Sequence, residues 1–141
     1  MLRAAKAELK RARAADVQVI RVPGAFEIPV VAARLAASFH TSRVAHHGSR
    51  IKDRASLSAI ICLGVILRGE TTHATHIGEA VSRALMEIQL RYEVPVVHEV
   101  LLLENEAQAR ARCLDRKHNR GAEAAQTALA MAEVMRKIPR A

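Results

Sequence analysis

A-I-I-C-L-G-V-I-L at residues 59–67, followed without a break by R-G-E-T-T-H-A-T-H at 68–76, decides the fold class. An uncharged apolar run of this length fits a strand covered on both faces, as in a parallel sheet. A helix is predicted from about Thr75 to Tyr92, and P-V-V-H-E-V-L-L-L at 95–103 reads as a second buried strand. Helices are expected over 104–114 and 119–138, the last with Ala122, Ala125, Leu129, Ala132 and Met135 along one face. On the N-terminal side, residues 28–39 predict a helix with Pro29 in its first turn and an apolar face through Val30, Ala33, Leu35 and Ala37. V-Q-V-I-R-V at 17–22 is short and β-branched and predicts a strand, closed by Pro23-Gly24. Residues 2–14 predict an amphipathic helix facing solvent, with Leu2, Ala5 and Leu9 on its inner face. The stretch 40–58 is polar and basic, holds His40, His46 and His47, and is expected to be a long loop. This alternation predicts an α/β domain: a parallel sheet with helices on both sides.

The 141 residues fit one domain, 1–141, large enough to bury roughly two-thirds of its unfolded surface. Half the residues are hydrophobic and 26% are charged, which excludes wholesale disorder. Lys and Arg outnumber Asp and Glu by 22 to 14, so an anionic partner is expected. Phe26, Phe39 and Tyr92 are the only aromatics, which argues against a single-strand nucleic-acid binder that stacks bases. The basic residues are scattered along the chain and match no nucleic-acid motif, so no nucleic-acid partner is expected. Two cysteines make no disulfide framework, and Cys62 reads as a small core side chain. No apolar run approaches a membrane span and the first residues lack a signal-peptide core, which predicts a cytoplasmic protein without a membrane partner.

Ligands of parallel α/β sheets lie beyond the carboxyl ends of the strands, which directs attention to the residues after 22, 67 and 101. The first of these is V-P-G-A-F-E-I-P at 22–29. Glu27 there reads either as a charge complementing a helix N-terminus or as an acceptor for a polyol. The second, 67–76, sets a glycine and hydroxyls at a helix start, where free N–H groups suit phosphate. His73 lies within one turn, either as a helix-end histidine or as a proton carrier beside that phosphate. His73 and His76 share a face, but no H-E-x-x-H or paired-cysteine motif accompanies them, so no metal is expected. The phosphate-loop and dinucleotide glycine signatures are absent. The third region offers His98 and then Arg110, Arg112, Arg116, Lys117 and Arg120, either as a solvated face or as the source of one phosphate-binding arginine.

Taken in order, V-P-G-A-F-E-I-P, L-G-V-I-L-R-G-E-T-T-H, P-V-V-H-E-V-L-L and H-N-R-G-A-E-A-A resemble the successive motifs of the 6,7-dimethyl-8-ribityllumazine synthase family. The resemblance implies a three-layer α/β/α sandwich with a parallel, flavodoxin-like sheet of four strands, the first of which this chain lacks. It also implies the penultimate step of riboflavin synthesis. There 5-amino-6-ribitylamino-uracil condenses with 3,4-dihydroxy-2-butanone 4-phosphate, losing phosphate and water, without cofactor or metal. Carried over by position, Ala25, Phe26 and Glu27 hold the ribityl chain and ring, and Val65, Ile66 and Leu67 line the pyrimidine pocket. Glu70 and Thr71 match the phosphate turn, Arg112 the phosphate arginine, Arg120 a nearby basic position and His73 the proton shuttle. His98 stands where an aromatic ring is usual. The family implies a homo-oligomer, a pentamer or its multiples, with sites between subunits. A catalytically weak binding or assembly protein of the same family is the alternative.

Overall fold

The computed structural model describes residues 1–44 and 57–138. Its centre is a parallel pair, β1 (Ile60–Leu67) and β2 (Val96–Leu103), in register from Ile60 opposite Val96 to Leu67 opposite Leu103. Bonds from Ile60 N to Pro95 O and from Arg68 N to Leu103 O, each 2.8 Å, extend the pairing at both ends. Alternation along β1 sends Ile60, Cys62 and Ile66 into one core with α2 (Ile28–Val44) and α3 (His73–Tyr92). Ala59, Ile61 and Leu63 pack instead with Val97, Ala124 and Ala128, the last two on α5 (Arg120–Lys137). The helix α1 (Leu2–Arg11) lies against α5, and α4 (Glu106–Cys113) bridges β2 and α5. The result is the three-layer, flavodoxin-like α/β arrangement with a parallel sheet. Val81 and Leu85 of α3 are completely buried, a contribution of roughly 1.5–3 kcal/mol each.

Several expectations are corrected. Residues 17–22 form no strand: the backbone has no ladder partner, and Val17, Val19 and Ile20 are exposed. β-propensity reports fit to a half-buried pleated surface, and none is offered here. Among the described residues the sheet has two strands. Residues 40–44 are the last turn of α2 rather than the start of a loop, and 45–56 lie outside the described residues. A 3-10 turn, Ala25–Glu27, precedes α2. Among the described side chains of α2, Ala32 and Ala36 are buried and the expected Ala33 and Leu35 pack partly buried against the same core, whereas Val30 is exposed. On α5 the buried stripe is Gly121, Ala124, Ala125 and Ala128, so of the expected face only Ala125 is fully buried. Small residues there let α5 lie close to both the sheet and α1.

The residue capping the start of α1 lies directly against α5 at Gly121, where a Cβ would stand 2.3 Å from the carbonyl oxygen of Met1. Replacing glycine by alanine inside a helix normally gains about 1 kcal/mol. Here the clash is with backbone, and overpacking of that kind costs roughly 1–3 kcal/mol. Gly121→Ala is therefore expected to lower the urea midpoint; a raised midpoint would contradict the close packing. Burial pushes the Cys62 thiol up to about 12. A thiol that stays protonated in the folded state favours folding fully below the unfolded value of about 8.5, and that advantage disappears as pH rises through the folded value. Stability is expected to fall above about pH 9, and Cys62→Ala to shallow that fall; an unchanged slope would remove the assignment.

Candidate active site

The chain leaving β1 turns through Arg68–Thr72 into α3, with His73 as the first helical residue. Thr71 Oγ1 accepts from His73 N at 3.4 Å, and Thr72 O accepts from His76 N at 3.1 Å. A 20-residue helix therefore presents its first N–H groups and positive dipole end beside exposed Glu70, Thr71 and His73. Gly69 has nothing within 4 Å of a Cβ position, so this turn is open on its outer side. Arg68 pairs with Glu104 at 3.0 Å, tying the residue after β1 to the residue after β2.

The Gly24–Glu27 segment reaches the same end of the sheet. Its 3-10 turn touches both β1 and α3, and Ala25 packs into the core they share. Phe26 and Glu27 remain exposed, with Glu27 Oε2 folded back to 2.7 Å from the Cβ position of Gly24. Gly64 makes this approach possible. A Cβ there would come within 3.0 Å of Val100 and 3.3 Å of Ile28, so the bare backbone forms the flat spot on which α2 begins.

The third region divides between the two faces of the sheet. His98 lies opposite Cys62, well before the strand ends, and points toward α3. Its Nδ1 accepts from Val100 N at 3.3 Å, which leaves Nε2–H to donate to Ser82 Oγ at 2.8 Å, while that hydroxyl donates to Gly78 O at 2.7 Å. On the opposite face Glu99 is buried and receives two bonds from Arg120, Nε to Oε2 at 3.0 Å and Nη2 to Oε1 at 2.8 Å. Arg120 also donates to Glu123. Burial works against its charge, but attraction and hydrogen bonding from Glu99, then from Glu123, hold its pKa above the usual arginine value. Asn119 caps α5 by accepting from Gly121 N at 3.0 Å, while its amide donates to Cys113 O and Asp115 O at 2.8 and 3.0 Å. That side chain fastens the end of α4, where exposed Arg112 sits, to the start of α5.

Residues 1–136 match the model of the 6,7-dimethyl-8-ribityllumazine synthase family. The chain belongs to that family. It is 39% identical over 125 residues to the 6,7-dimethyl-8-ribityllumazine synthase of Stenotrophomonas maltophilia, covering 89% of this chain and 70% of the relative. The enzyme of the same name from Coxiella burnetii is 36% identical over 126 residues, covering 89% and 73%. That from Xanthomonas oryzae is 39% identical over 123 residues, covering 87% and 70%.

Of the positions that the lumazine synthase motifs single out, the structure gathers Ala25–Glu27, Val65–Leu67 and Glu70–His73 at one end of the sheet. It leaves His98 engaged with Ser82, and Arg120 engaged with two carboxylates. Ser82, Glu99 and Asn119 are the polar residues that sequence reading did not single out. An acid inside an apolar strand was the available signal for Glu99, and Asn119 had the signature of a helix cap. Among the described residues no three His, Cys, Asp or Glu gather to hold a metal, and no helix is long and apolar enough to cross a membrane.

If Arg120 is held structurally, removing it strands a buried carboxylate. Arg120→Met is then expected to cost about 2 kcal/mol in urea unfolding, and adding Glu99→Leu to recover most of it. Equal destabilisation in the single and double variants would contradict the pairing.

Proposed function

We propose that this chain is a riboflavin-pathway transferase that condenses 5-amino-6-ribitylamino-uracil with 3,4-dihydroxy-2-butanone 4-phosphate to 6,7-dimethyl-8-ribityllumazine, releasing phosphate and water. The observation that carries the reading is the convergence of the 3-10 turn, the end of β1 and the start of α3. Among the described residues, the edge of β1 away from β2 has no ladder partner. Its outward N–H and C=O groups at Val65 and Leu67 suit the amide-like edge of a pyrimidine, while Ile66 between them bonds to β2. Ala25, Phe26 and Glu27 stand beside that edge, with the Glu27 carboxylate as acceptor for ribityl hydroxyls. Glu70, Thr71 and the N–H groups opening α3 receive the phosphate; backbone donors outweigh the single negative charge of Glu70.

In this reading His73 moves protons. The substrate amine must lose a proton as it adds to the ketone, and the resulting hydroxyl must gain one to leave as water when the imine forms. Phosphate then leaves as the neighbouring carbon gives up its proton, with the leaving charge stabilised by the helix end and by Arg112. The resulting enol becomes a ketone, on which the ribitylamino nitrogen closes the ring with loss of a second water. An imidazole is suited to both transfers near neutral pH. Holding two substrates side by side supplies much of the acceleration. No cofactor or metal is required.

Residues 1–141 are read as one domain acting as a homo-oligomer, a pentamer or a multiple of one. Phe26, Val65 and Leu67 are all at least 40% exposed at the strand ends, apolar surface that a neighbouring subunit would cover, with His98 serving a ring-stacking role only through rearrangement. The second reading, a catalytically weak binding or assembly protein of the same family in the cytoplasm, is favoured by the occupation of Arg120.

Following lumazine absorbance with both substrates separates the two readings. Product formation above the uncatalysed rate supports the enzyme; none sinks it. His73→Ala is expected to lower turnover about 10²-fold with substrate affinity retained. For Arg112→Ala, a roughly tenfold higher KM for the phosphate substrate is expected with a smaller change in kcat. Unchanged kinetics would remove either role.

A further inference from the structure

Four of the 22 basic residues meet on one side of α1. Arg3, Lys6, Lys10 and Arg13 are spaced three, four and three apart and line one open groove of about 540 Å³, together with Ala7, Ala14 and Val17. At 3.6 residues per turn Arg3, Lys6 and Lys10 fall within about 60° of one another around the helix, and Arg13, just past its C-cap, lines the same groove. All four are exposed, and among the described residues none pairs with a carboxylate. The acid of this helix, Glu8, is turned the other way, paired with Arg11 and accepting from Gln126 of α5. Asp16, the next carboxylate along the chain, does not line the groove.

The end of the stripe is held in an unusual way. Arg13 N donates to Lys10 O and Ala14 N to Leu9 O, each at 3.0 Å, a Schellman closure that places Arg13 in the left-handed region at φ 56°. Glycine is the residue that takes this position without cost, so a long cation here gives up roughly 1 kcal/mol of backbone energy while completing the stripe.

We propose that this face of α1 is a docking surface for an acidic amphipathic helix from another protein. A partner helix with glutamates at the same three-and-four spacing presents a carboxylate every 5.4 Å or so, in step with the cations. The floor of the groove decides between classes of polyanion. Ala7, Ala14 and Val17, which line it between the cations, are apolar. A nucleic-acid backbone brings phosphates but no side chains to cover those residues, and the groove has no aromatic ring on which a base could stack. An amphipathic peptide supplies both the charge and the cover. This surface is separate from the strand-end site and does not depend on the proposed reaction.

The test uses the full chain and a fluorescein-labelled peptide of about 14 residues, with glutamates at helical three-and-four spacing beside a leucine stripe. Anisotropy titrations include a scrambled peptide of the same composition and poly(U). The patterned peptide is expected to bind most tightly, with affinity falling as salt rises. Arg3→Glu with Lys10→Glu is expected to weaken it roughly tenfold. Arg13→Gly relieves the left-handed residue, so it is expected to weaken binding while the melting temperature stays level or rises. That split separates docking from loss of structure. The proposal is overturned if the patterned peptide does not bind, if scrambled peptide or poly(U) binds as tightly, or if the charge reversals leave affinity unchanged.

Discussion

The parallel pairing of β1 with β2 is the constraint on which the rest of the molecule depends. Because the two strands run in step, Leu67 and Leu103 end level, and the Arg68–Glu104 pair closes the same end of the sheet. A parallel pair needs cover on both faces, and the chain supplies α2 and α3 on one and α5 on the other. Every residue proposed to act at the strand ends is placed by that pairing. His73 follows β1 by the length of one turn, and Ala25–Glu27 is brought in by the start of α2 resting on Gly64.

The two faces of the sheet do different work. The α2–α3 face carries the candidate active site at its end, and the buried residues of its core are apolar, with the His98–Ser82 bond at its exposed margin. The α5 face is fastened by polar groups: Glu99 with Arg120 across it, and Asn119 at the junction of α4 and α5. Asp115 adds to that junction by accepting from His118 N and Lys117 N, bonds that hold its carboxyl below the ordinary range. Arg120 is thereby engaged with carboxylates on that face, while exposed Arg112 has no such partner among the described residues.

The legible and illegible parts of the fold have physical reasons. The run from Ala59 to Leu67 was readable because a strand buried on both faces has no polar residue to confuse it. The helix after it was readable from hydroxyls, glycine and a periodic apolar face. The segment 17–22 was misread because Val17, Val19 and Ile20 announce a strand only if a neighbour exists to pair with it. The inner face of α2 was only partly legible, with Ala33 and Leu35 against the core but Val30 exposed, because residues 28–37 are apolar nearly all round and period alone gives little direction. Of the candidate site, the strand-end positions were found from topology and from family motifs together. The fates of His98 and Arg120 were not, since Ser82 and Glu99 lie 16 and 21 residues away and only the packed structure brings them near.

The most direct measurement of the central claim is inorganic phosphate release from 3,4-dihydroxy-2-butanone 4-phosphate, with and without 5-amino-6-ribitylamino-uracil. A condensing enzyme built on the convergence of Ala25–Glu27, Val65–Leu67 and His73 is expected to accelerate release only when both substrates are present, one phosphate for each pyrimidine consumed. Release at the protein-free rate, or release indifferent to the pyrimidine, would contradict the account.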